Sequence, residues 1–317
     1  MTAIALLLPA RDRLPGTLPP VAARALGRAE REQLEAGGRA QLRRHFRLVP
    51  DHWPVAALTR RADAGTDAGD ALWLRADPAH VAPDITGARL LGWGEGLSMD
   101  PLDAQALLPV LRPLFGDAGF ELDAPHPARW YLRLPPGTPL PEFTAPEDAV
   151  GEDLFATMPQ GEDRESRRWR ALITEVQVVL HQHPWNRARA DHGRPAINSL
   201  WFWGAGVAPD SVQSSYMNVR SPDPLLQALA GEAGAATAAP AAGVDAPPSP
   251  IGDSLVDLRH LRSLDVLATQ VLPPLLASMG RDEFDTLVLD FEDGTRLRVR
   301  QGQRLRFWRS PLRSLAG

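Results

Sequence analysis

The sequence predicts an α/β protein in which a mixed β-sheet is flanked by helices, with a β-hairpin or meander near the C-terminus. Three observations support this fold class. The apolar run AIALLL near the N-terminus is typical of a buried strand, and apolar residues recur at helical spacing from Leu172 to Leu180. Asp293-Gly294 separates two β-prone runs, which is the pattern of a hairpin.

Further elements follow from apolar periodicity and from the positions of glycine and proline. Residues 27–46 interleave glutamate with arginine, which predicts a helix with a solvated face. Residues 71–91 predict two strands around a polar turn that holds Asp77, His80 and Asp84. The other predicted elements are helices over 100–115, 169–180 and 263–279, strands over 130–134, 197–203 and 285–291, a returning strand TRLRVR and a third strand RLRFW.

Composition divides the chain into three parts. Residues 1–230 are expected to form the main α/β domain. Residues 231–250 are rich in Ala, Pro and Gly with hardly any large apolar side chain, which predicts a flexible loop or linker. Residues 251–317 are expected to add a helix and a hairpin that complete the same core.

The amino-acid composition excludes several kinds of chemistry. The chain has no cysteine, which excludes thiol catalysis, disulfides and thiolate metal sites. All 34 basic residues are arginine, so a Schiff-base lysine and a P-loop lysine are excluded as well. The net charge of -5 gives no argument for nucleic acid as a partner. No run approaches the roughly 20 apolar residues of a membrane helix, so we expect a cytoplasmic protein without a membrane partner.

The segment from His181 to Gly206 concentrates polar recognition chemistry. It reads HQHPWNRARADHGRPAINSLWFWGAG and joins the predicted helix over 169–180 to the predicted strand over 197–203. Arginines on such a loop can pair with a carboxylate or phosphate in a bidentate way, and glycines can expose backbone donors. Solvated arginines, a packed aromatic core and turn-forming asparagines remain the alternative. The candidate ligand-binding residues are His183, Asn186, Arg187, Arg189, Arg194, Asn198, Gly204 and Gly206.

Two other groups of polar residues allow more than one interpretation. Asp77, His80 and Asp84, with His181 or His183, offer donors suited to Mn²⁺ or Zn²⁺, but they can equally cap turns. The expectation is that the chain needs no cofactor, with these residues as the alternative metal site. Seven arginines from Arg296 to Arg313 have no acid among them. They predict a solvated or ion-paired sheet face, with phosphate or nucleic-acid binding and a protein interface as alternatives.

The 181–206 segment resembles a conserved stretch of archaeal-type cofactor-independent phosphoglycerate mutases, which belong to the alkaline phosphatase superfamily. The resemblance implies an alkaline-phosphatase-like sheet. The chain also resembles bacterial RpfE-type regulatory proteins, over most of its length from about Trp73 to Trp203 and loosely to Trp308. The runs that carry this second resemblance are WLRADPAH, PDITGARLL, RWYLRLP and NSLWFWG. The residues that carry the mutase resemblance are His183, Pro184, Asn186, Arg189, Gly193, Pro195, Asn198, Trp201, Gly204 and Gly206.

The mutase resemblance implies a two-metal centre with an Asp after the first strand and a serine nucleophile. This chain has Pro9-Ala10-Arg11 after the first strand, and its Asp191-His192-Gly193 lies inside the resembling stretch rather than in a separate metal motif. We therefore expect a catalytically degenerate, regulatory relative that binds a small phosphorylated or carboxylated molecule. A protein partner is a further expectation. The alternative is an active metal-dependent mutase or phosphatase.

Overall fold

A computed structural model describes residues 2–65, 71–84, 87–238 and 252–316. The chain forms two compact units. Unit 1 consists of Met1–Asp51 together with Asp210–Gly317, and unit 2 is the continuous segment His52–Pro209. This division differs from the predicted boundaries at residues 230 and 251, because the last strands of the chain pair with the first one.

Unit 1 is built on a mixed sheet. The strands of unit 1 are β1 (Ala3–Leu8), β2 (Glu30–Gln33), β3 (Arg47–Val49), β9 (Ser211–Gln213), β10 (Asn218–Arg220), β11 (Ala236–Ala238), β12 (Ser254–Asp257), β13 (Thr286–Phe291) and β14 (Thr295–Arg300). Among the described residues the strands of the mixed sheet follow the order β11-β10-β12-β1-β13-β14-β2, parallel from β11 to β13 and antiparallel from β13 to β2. A separate antiparallel pair joins β3 to β9.

Helices flank this sheet, as the sequence predicts. One core forms where α1 (Pro20–Arg28) and α11 (Leu272–Gly280) pack with the alternate residues Ile4, Leu6 and Leu8 of β1. The mixed α/β fold class and the hairpin β13–β14 are confirmed. The helices of unit 1 are α1 (Pro20–Arg28), α2 (Gly38–Arg43), α9 (Pro224–Glu232), α10 (Leu264–Val266) and α11 (Leu272–Gly280), with a π-helical turn at Leu267–Val271 and 3-10 turns at Arg11–Arg13 and Gln301–Leu305.

The predicted helix over residues 27–46 is wrong. That segment contains the end of α1, the edge strand β2 and the short helix α2. The glutamates of β2 pair across the sheet rather than along a helix: Glu32 lies 3.7 Å from Arg298, and Glu30 lies 3.5 Å from Arg300. The arginine face of β14 is therefore ion-paired, and the strand next to β14 in the sheet is β2, which comes from the N-terminal part of the chain.

Two other C-terminal predictions change. RLRFW is not a strand, because residues 301–305 form a 3-10 turn and the chain then leaves the sheet. The predicted linker over 231–250 begins inside α9 and includes β11, which pairs with β10. Its remainder, residues 239–250, lies outside the described residues.

Unit 2 is built on an antiparallel sheet. Its strands are β4 (Leu72–Asp84), β5 (Gly87–Trp93), β6 (Glu121–His126), β7 (Arg129–Leu134) and β8 (Ser199–Gly206). The long strand β4 pairs with β5, β7 and β8, and β7 pairs with β6. Its helices are α3 (Val55–Ala64), α4 (Pro101–Asp117), α5 (Pro146–Ala149), α6 (Leu154–Thr157), α7 (Arg164–His181) and α8 (Trp185–Asp191), with a 3-10 turn at Gly94–Leu97.

The core of unit 2 lies where α4 and α7 pack on the sheet. Trp169 of α7 stacks on Phe120 with ring centroids 5.4 Å apart, and it meets Phe202 of β8 edge to face. The predicted helices over 100–115 and 169–180 and the strand over 130–134 are confirmed. Across the described part of the chain, no helix combines the length and the apolar character needed to cross a membrane.

Candidate functional site

The carboxyl ends of the parallel strands in unit 1 carry a row of polar residues. Leu7 of β1 is the register partner of Asp257 in β12 and of Asp290 in β13. Register partners point to the same face of a sheet, so both carboxylates lie on the face opposite to the core that holds Ile4 and Leu6. Open α/β sheets bind ligands at this edge. The carboxyl ends of the strands in unit 1 are therefore a candidate site.

Asp257 is buried and fully engaged by neighbouring donors. Ser221, directly after β10, donates its hydroxyl to Asp257 Oδ2 at 2.7 Å. Arg259 donates to both carboxylate oxygens, at 2.8 Å from Nε and 2.7 Å from Nη2. The same Nη2 lies 2.7 Å from Asp223. A guanidinium thus bridges the two carboxylates.

Asp290 has a second set of cationic and polar partners. Arg44 donates to both oxygens of Asp290, and His45 Nε2 lies 3.0 Å from Oδ2. The other ring nitrogen of His45, Nδ1, lies 2.8 Å from the hydroxyl of Tyr216. Because an ionised Asp290 only accepts, the network assigns the proton of a neutral His45 to Nε2, and Tyr216 then donates to Nδ1.

The protonation states follow from burial and from these partners. Burial lowers the pKa of His45, so its ring is neutral near pH 7. Burial alone would raise the pKa of Asp290, but hydrogen bonds from His45 and Arg44 outweigh it and lower the pKa. The pKa of Asp257 is lowered in the same way by Arg259 and Ser221. Burial raises the pKa of Tyr216 to about 12.

Sequence reasoning missed this row. Its acids end apolar runs, as in SLVD and TLVLD, and an acid at the end of a buried strand is a visible sign of a polar strand end. Its partners Arg44 and His45 come from a segment more than 200 residues away, which no local pattern could connect to them.

These residues do not fit the two-metal centre that the mutase resemblance implies. The described residues contain no group of three or more His, Asp or Glu side chains placed to hold a metal ion. Asp257 and Asp290, the carboxylates at the strand ends, direct their oxygens at Arg259, Arg44 and His45. Guanidinium groups supply the positive charge that a metal would supply in such a centre.

The 181–206 segment lies in unit 2, and its middle is a helix rather than a loop. Helix α8 spans Trp185–Asp191, and the Asp191-His192-Gly193 motif ends it. Gly193 has a φ of 68°, the left-handed conformation that commonly follows a helix. His192 donates from Nδ1 to the carbonyl of Ala188 in the same helix at 2.7 Å. The motif therefore forms a helix end.

Arg189, a predicted anion anchor, is buried and holds protein groups together. Each of its three guanidinium nitrogens faces a protein acceptor: Nη1 lies 2.7 Å from Asp103, Nε bonds Pro195 O at 2.8 Å, and Nη2 bonds Leu97 O at 2.6 Å. Asp103 is fully buried and also accepts from the indole of Trp185 at 2.7 Å. This arrangement fixes α8 to the start of α4.

Arg194 continues the same contact at the surface. Its Nη1 lies 2.5 Å from Asp100 Oδ2, and Asp100 is the N-cap of α4 in a capping box with Asp103. The hydrogen bond from Arg194 lowers the pKa of Asp100. Arg189 and Arg194 therefore both neutralise carboxylates at the N-terminus of α4.

The two predicted asparagines bind backbone groups. Asn186 donates to the carbonyls of Leu180 and Ile197 at 2.8 and 2.9 Å and accepts from Ile197 N at 2.8 Å. Asn198 bonds both backbone groups of Val81, at 2.8 and 2.7 Å, beside a register shift in β4. The asparagine side chains thus join the segment to α7 and to the sheet.

The remaining candidates differ in their surroundings. Gly204 and Gly206 lie within β8 rather than in a turn, and a Cβ there would come within 2.9 Å of Val55 and 2.6 Å of Pro54. These glycines allow α3 to approach the strand closely. His183 is half-buried and accepts from Trp185 N at 3.3 Å. Arg187 is exposed, so anion binding by Arg187 stays a prediction.

The alternative metal ligands do not come together. Asp77, His80 and Asp84 lie along the extended strand β4 instead of in a turn, so Asp77 and Asp84 are about 23 Å apart at roughly 3.3 Å per residue. Asp77 is paired with Arg75 at 2.8 Å and accepts from Trp203, His80 lies 2.8 Å from Ala196 O, and Asp84 bonds Arg89. His181 is exposed at the end of α7.

A cleft of about 550 Å³ in unit 2 is lined by three arginines. Arg60 lies over the ring of Trp73 at 4.9 Å and donates to Asp123 at 2.9 Å. Arg112 is exposed and donates Nε to Leu122 O at 3.3 Å, and Arg133 lies 3.4 Å from the exposed Glu121. Trp73 and Phe120 supply apolar lining.

Comparisons with known proteins find partial similarity to one enzyme family. No protein-family model matches the chain. A phosphoglycerate mutase of the 2,3-bisphosphoglycerate-independent type from Methanosarcina mazei is 41% identical over 68 residues, which cover 22% of this chain and 17% of that protein. A probable enzyme of the same type from Geobacter sulfurreducens is 39% identical over 64 residues, 20% of this chain and 16% of that protein. The chain thus matches only about a sixth of the length of these relatives.

Solved structures give weaker matches over more of the chain. A cofactor-independent phosphoglycerate mutase from Thermoplasma acidophilum aligns with a TM-score of 0.42 and 15% identity, covering 95% of this chain and 90% of that one. A protein from Pyrococcus horikoshii aligns with a TM-score of 0.45 and 12% identity, covering 95% and 88%. The resemblance to RpfE-type regulatory proteins stays a prediction.

Proposed function

We propose that this chain is a phosphoglycerate-mutase-like regulatory protein that binds a small phosphorylated or carboxylated molecule and does not transfer a phosphoryl group. The similarity to cofactor-independent phosphoglycerate mutases over 64–68 residues supports the relationship and the class of ligand. The proposal of a regulatory role rests on the mismatch between those enzymes' chemistry and the residues of this chain.

One observation carries the proposal. Both carboxylates at the strand ends of unit 1 form close ion pairs with arginine: Asp257 with Arg259 at 2.7 Å, and Asp290 with Arg44 at 2.6 Å. Metal-assisted phosphoryl transfer needs carboxylate oxygens directed at the ions and an activated nucleophile beside them. Here the same oxygens neutralise guanidinium groups, and the Ser221 hydroxyl donates to Asp257, a carboxylate that Arg259 already holds through both oxygens.

The cleft of unit 2 is the proposed ligand site. Its arginines Arg60, Arg112 and Arg133 present guanidinium groups that match the geometry of phosphate and carboxylate oxygens. Two of them, Arg112 and Arg133, are exposed, so a ligand could reach them from solvent. Trp73 and Phe120 form the buried apolar wall behind these arginines.

An assay of catalysis tests the first half of the proposal. Purified full-length protein is supplied with Mn²⁺ or Zn²⁺ and with 3-phosphoglycerate, and the formation of 2-phosphoglycerate and the release of phosphate are followed. We expect no turnover above the protein-free rate and no stoichiometric metal after gel filtration. Turnover that a chelator abolishes, with retained metal, would instead establish the alternative of an active metal-dependent enzyme.

Calorimetric titration with 3-phosphoglycerate and with inorganic phosphate tests the second half. We expect Arg112→Ala and Arg133→Ala each to raise Kd about tenfold, the effect of losing one charge-assisted hydrogen bond. Arg187→Ala is the matched control, because Arg187 is an exposed arginine on α8 of the same unit. If only Arg187→Ala weakens binding, the ligand site lies in the 181–206 segment. If no titration shows binding, the ligand-binding proposal fails.

A further inference from the structure

Three large apolar side chains near the C-terminus point into solvent. Leu305, Phe307 and Trp308 are 76%, 80% and 70% exposed. We call residues 304–309 the C-terminal tip. Large apolar groups are costly to expose in a cluster, and such clusters mark surfaces that contact something else. The C-terminal tip belongs neither to the cleft of unit 2 nor to the polar row at the strand ends of unit 1.

The tip is presented by an anchored segment. On its N-terminal side, Gln303 is buried and its side chain accepts from Arg300 N at 3.2 Å. On its C-terminal side, Leu312 N donates to Ala23 O of α1 at 2.8 Å. Ser310 packs so closely on α1 that a Cβ on Gly27 would come within 2.3 Å of its carbonyl oxygen. The fold therefore holds the chain on both sides while the apolar groups face outwards.

The tip lies in a stretch of sequence that is rich in arginine. The sequence contains no acid after Asp293, and Glu30 already contacts both Arg300 and Arg306, at 3.5 and 3.4 Å. Three further arginines, Arg304, Arg309 and Arg313, are exposed, and within the described residues they form no ion pair. A ligand surface for this tip should therefore be apolar at its centre and negatively charged around it.

We propose that the C-terminal tip binds reversibly to the surface of an anionic lipid bilayer. Leucine, phenylalanine and tryptophan partition into the boundary between headgroups and acyl chains, and arginines bind the lipid phosphates around them. An apolar group combined with a basic cluster supplies two signals, which together hold a protein at a membrane more stably than either does alone. The expectation of no membrane partner rests on the lack of a spanning segment, and surface binding needs none.

The aromatic geometry favours lipid over single-stranded nucleic acid. The rings of Phe307 and Trp308 meet edge to face, with centroids 5.4 Å apart and planes at 80°. Nucleic-acid binders stack successive bases on open ring faces along a basic groove, whereas here the edge of one ring covers a face of the other. The exposed side chains of the tip suit insertion into an interface that adapts to their shape.

Vesicle sedimentation tests the proposal with the full-length protein. The probes are vesicles of pure phosphatidylcholine and vesicles with about one third phosphatidylglycerol, at low salt. We expect binding to the anionic vesicles only. The triple variant Leu305→Ser, Phe307→Ser, Trp308→Ser should abolish it, and Arg309→Ala should weaken it about fivefold. Phe155→Ser is the matched control, because Phe155 is another exposed aromatic, 64% accessible and located in unit 2.

Three outcomes would overturn the proposal. The first is an absence of sedimentation with anionic vesicles. The second is sedimentation that the triple variant and Phe155→Ser affect equally. The third is tight binding of a single-stranded oligonucleotide that depends on Phe307 and Trp308 while vesicles do not bind, which would assign the tip to nucleic acid. Circular dichroism of each variant checks that the fold is intact, which is expected because the replaced side chains lie on the surface.

Discussion

The segment His181–Gly206 and the C-terminal residues 296–313 are both rich in arginine and aromatic residues, yet the fold uses them in opposite ways. In the first, Arg189 is buried against Asp103 and Arg194 pairs with Asp100. In the second, Arg309 is exposed beside an exposed Trp308. The difference comes from carboxylates on other elements. The N-terminus of α4 supplies two acids to the first segment, whereas Glu30 and Glu32 of β2 contact only some arginines of the second.

The largest expected contrast is in stability. Arg189→Ala should lower the free energy of unfolding by about 3–5 kcal/mol, because it leaves the carboxylate of Asp103 buried without its ion-pair partner. Arg309→Ala should change it by less than about 0.5 kcal/mol, since an exposed arginine loses little on truncation. Urea unfolding followed by circular dichroism measures both. Equal losses of unfolding free energy in the two variants would mean that the buried Arg189 stabilises the fold no more than the exposed Arg309 does.

A smaller effect is expected from the neutral part of the same network. Asn186→Ala should cost about 1–3 kcal/mol, because the backbone groups of Leu180 and Ile197 lose their side-chain partner. Gln182→Ala is the control, since Gln182 is exposed at the end of α7. The same urea titration applies. If Asn186→Ala is as mild as Gln182→Ala, water replaces the lost hydrogen bonds and Asn186 is not a structural residue.

The smallest contrast concerns pH. Burial lowers the pKa of His183 below its ordinary value of 6.5, so the unfolded chain takes up this proton first as the pH falls. Stability is therefore complete above about pH 6.5 and declines as the pH falls from there towards the folded-state pKa. His183→Gln should flatten the fall in unfolding free energy between about pH 7 and 5 by a few tenths of a kcal/mol, because His183 is only half-buried.

The C-terminal segment contains no group that titrates in this range, so Arg309→Ala should leave that pH slope unchanged. An unchanged slope in His183→Gln would instead assign the pH dependence to His45 and His126, whose pKa values burial also lowers.

Elements with strong apolar periodicity could be predicted from the sequence, and elements defined by distant partners could not. Strand β1, helices α4 and α7 and the hairpin β13–β14 follow from local patterns. The alternation of Glu and Arg over residues 30–33 suits both a helix and an edge strand, and only the arginines of β14, more than 260 residues later, decide between them.

The candidate site shows the same limit. The sequence shows that the 181–206 segment is rich in polar side chains, but the acids that pair with its arginines, Asp100 and Asp103, lie about 90 residues earlier, so the sequence could not show that Arg189 is neutralised. The strand-end network of Asp257 and Asp290 depends on the adjacent residues Arg44 and His45 and on Ser221, which come from two separate regions of the chain. Identifying such a network requires the register of the sheet.

The position of β1 in its sheet affects how the protein can be made. Its hydrogen-bonding neighbours, β12 and β13, are encoded about 250 and 280 residues later. A ribosome adding roughly 5–20 residues per second needs on the order of tens of seconds to reach them. During that time the run AIALLL has no native neighbour on either side, while the continuous unit 2 can fold as soon as it emerges. The first strand is therefore exposed to aggregation during synthesis, and chaperones or fast synthesis would limit that exposure.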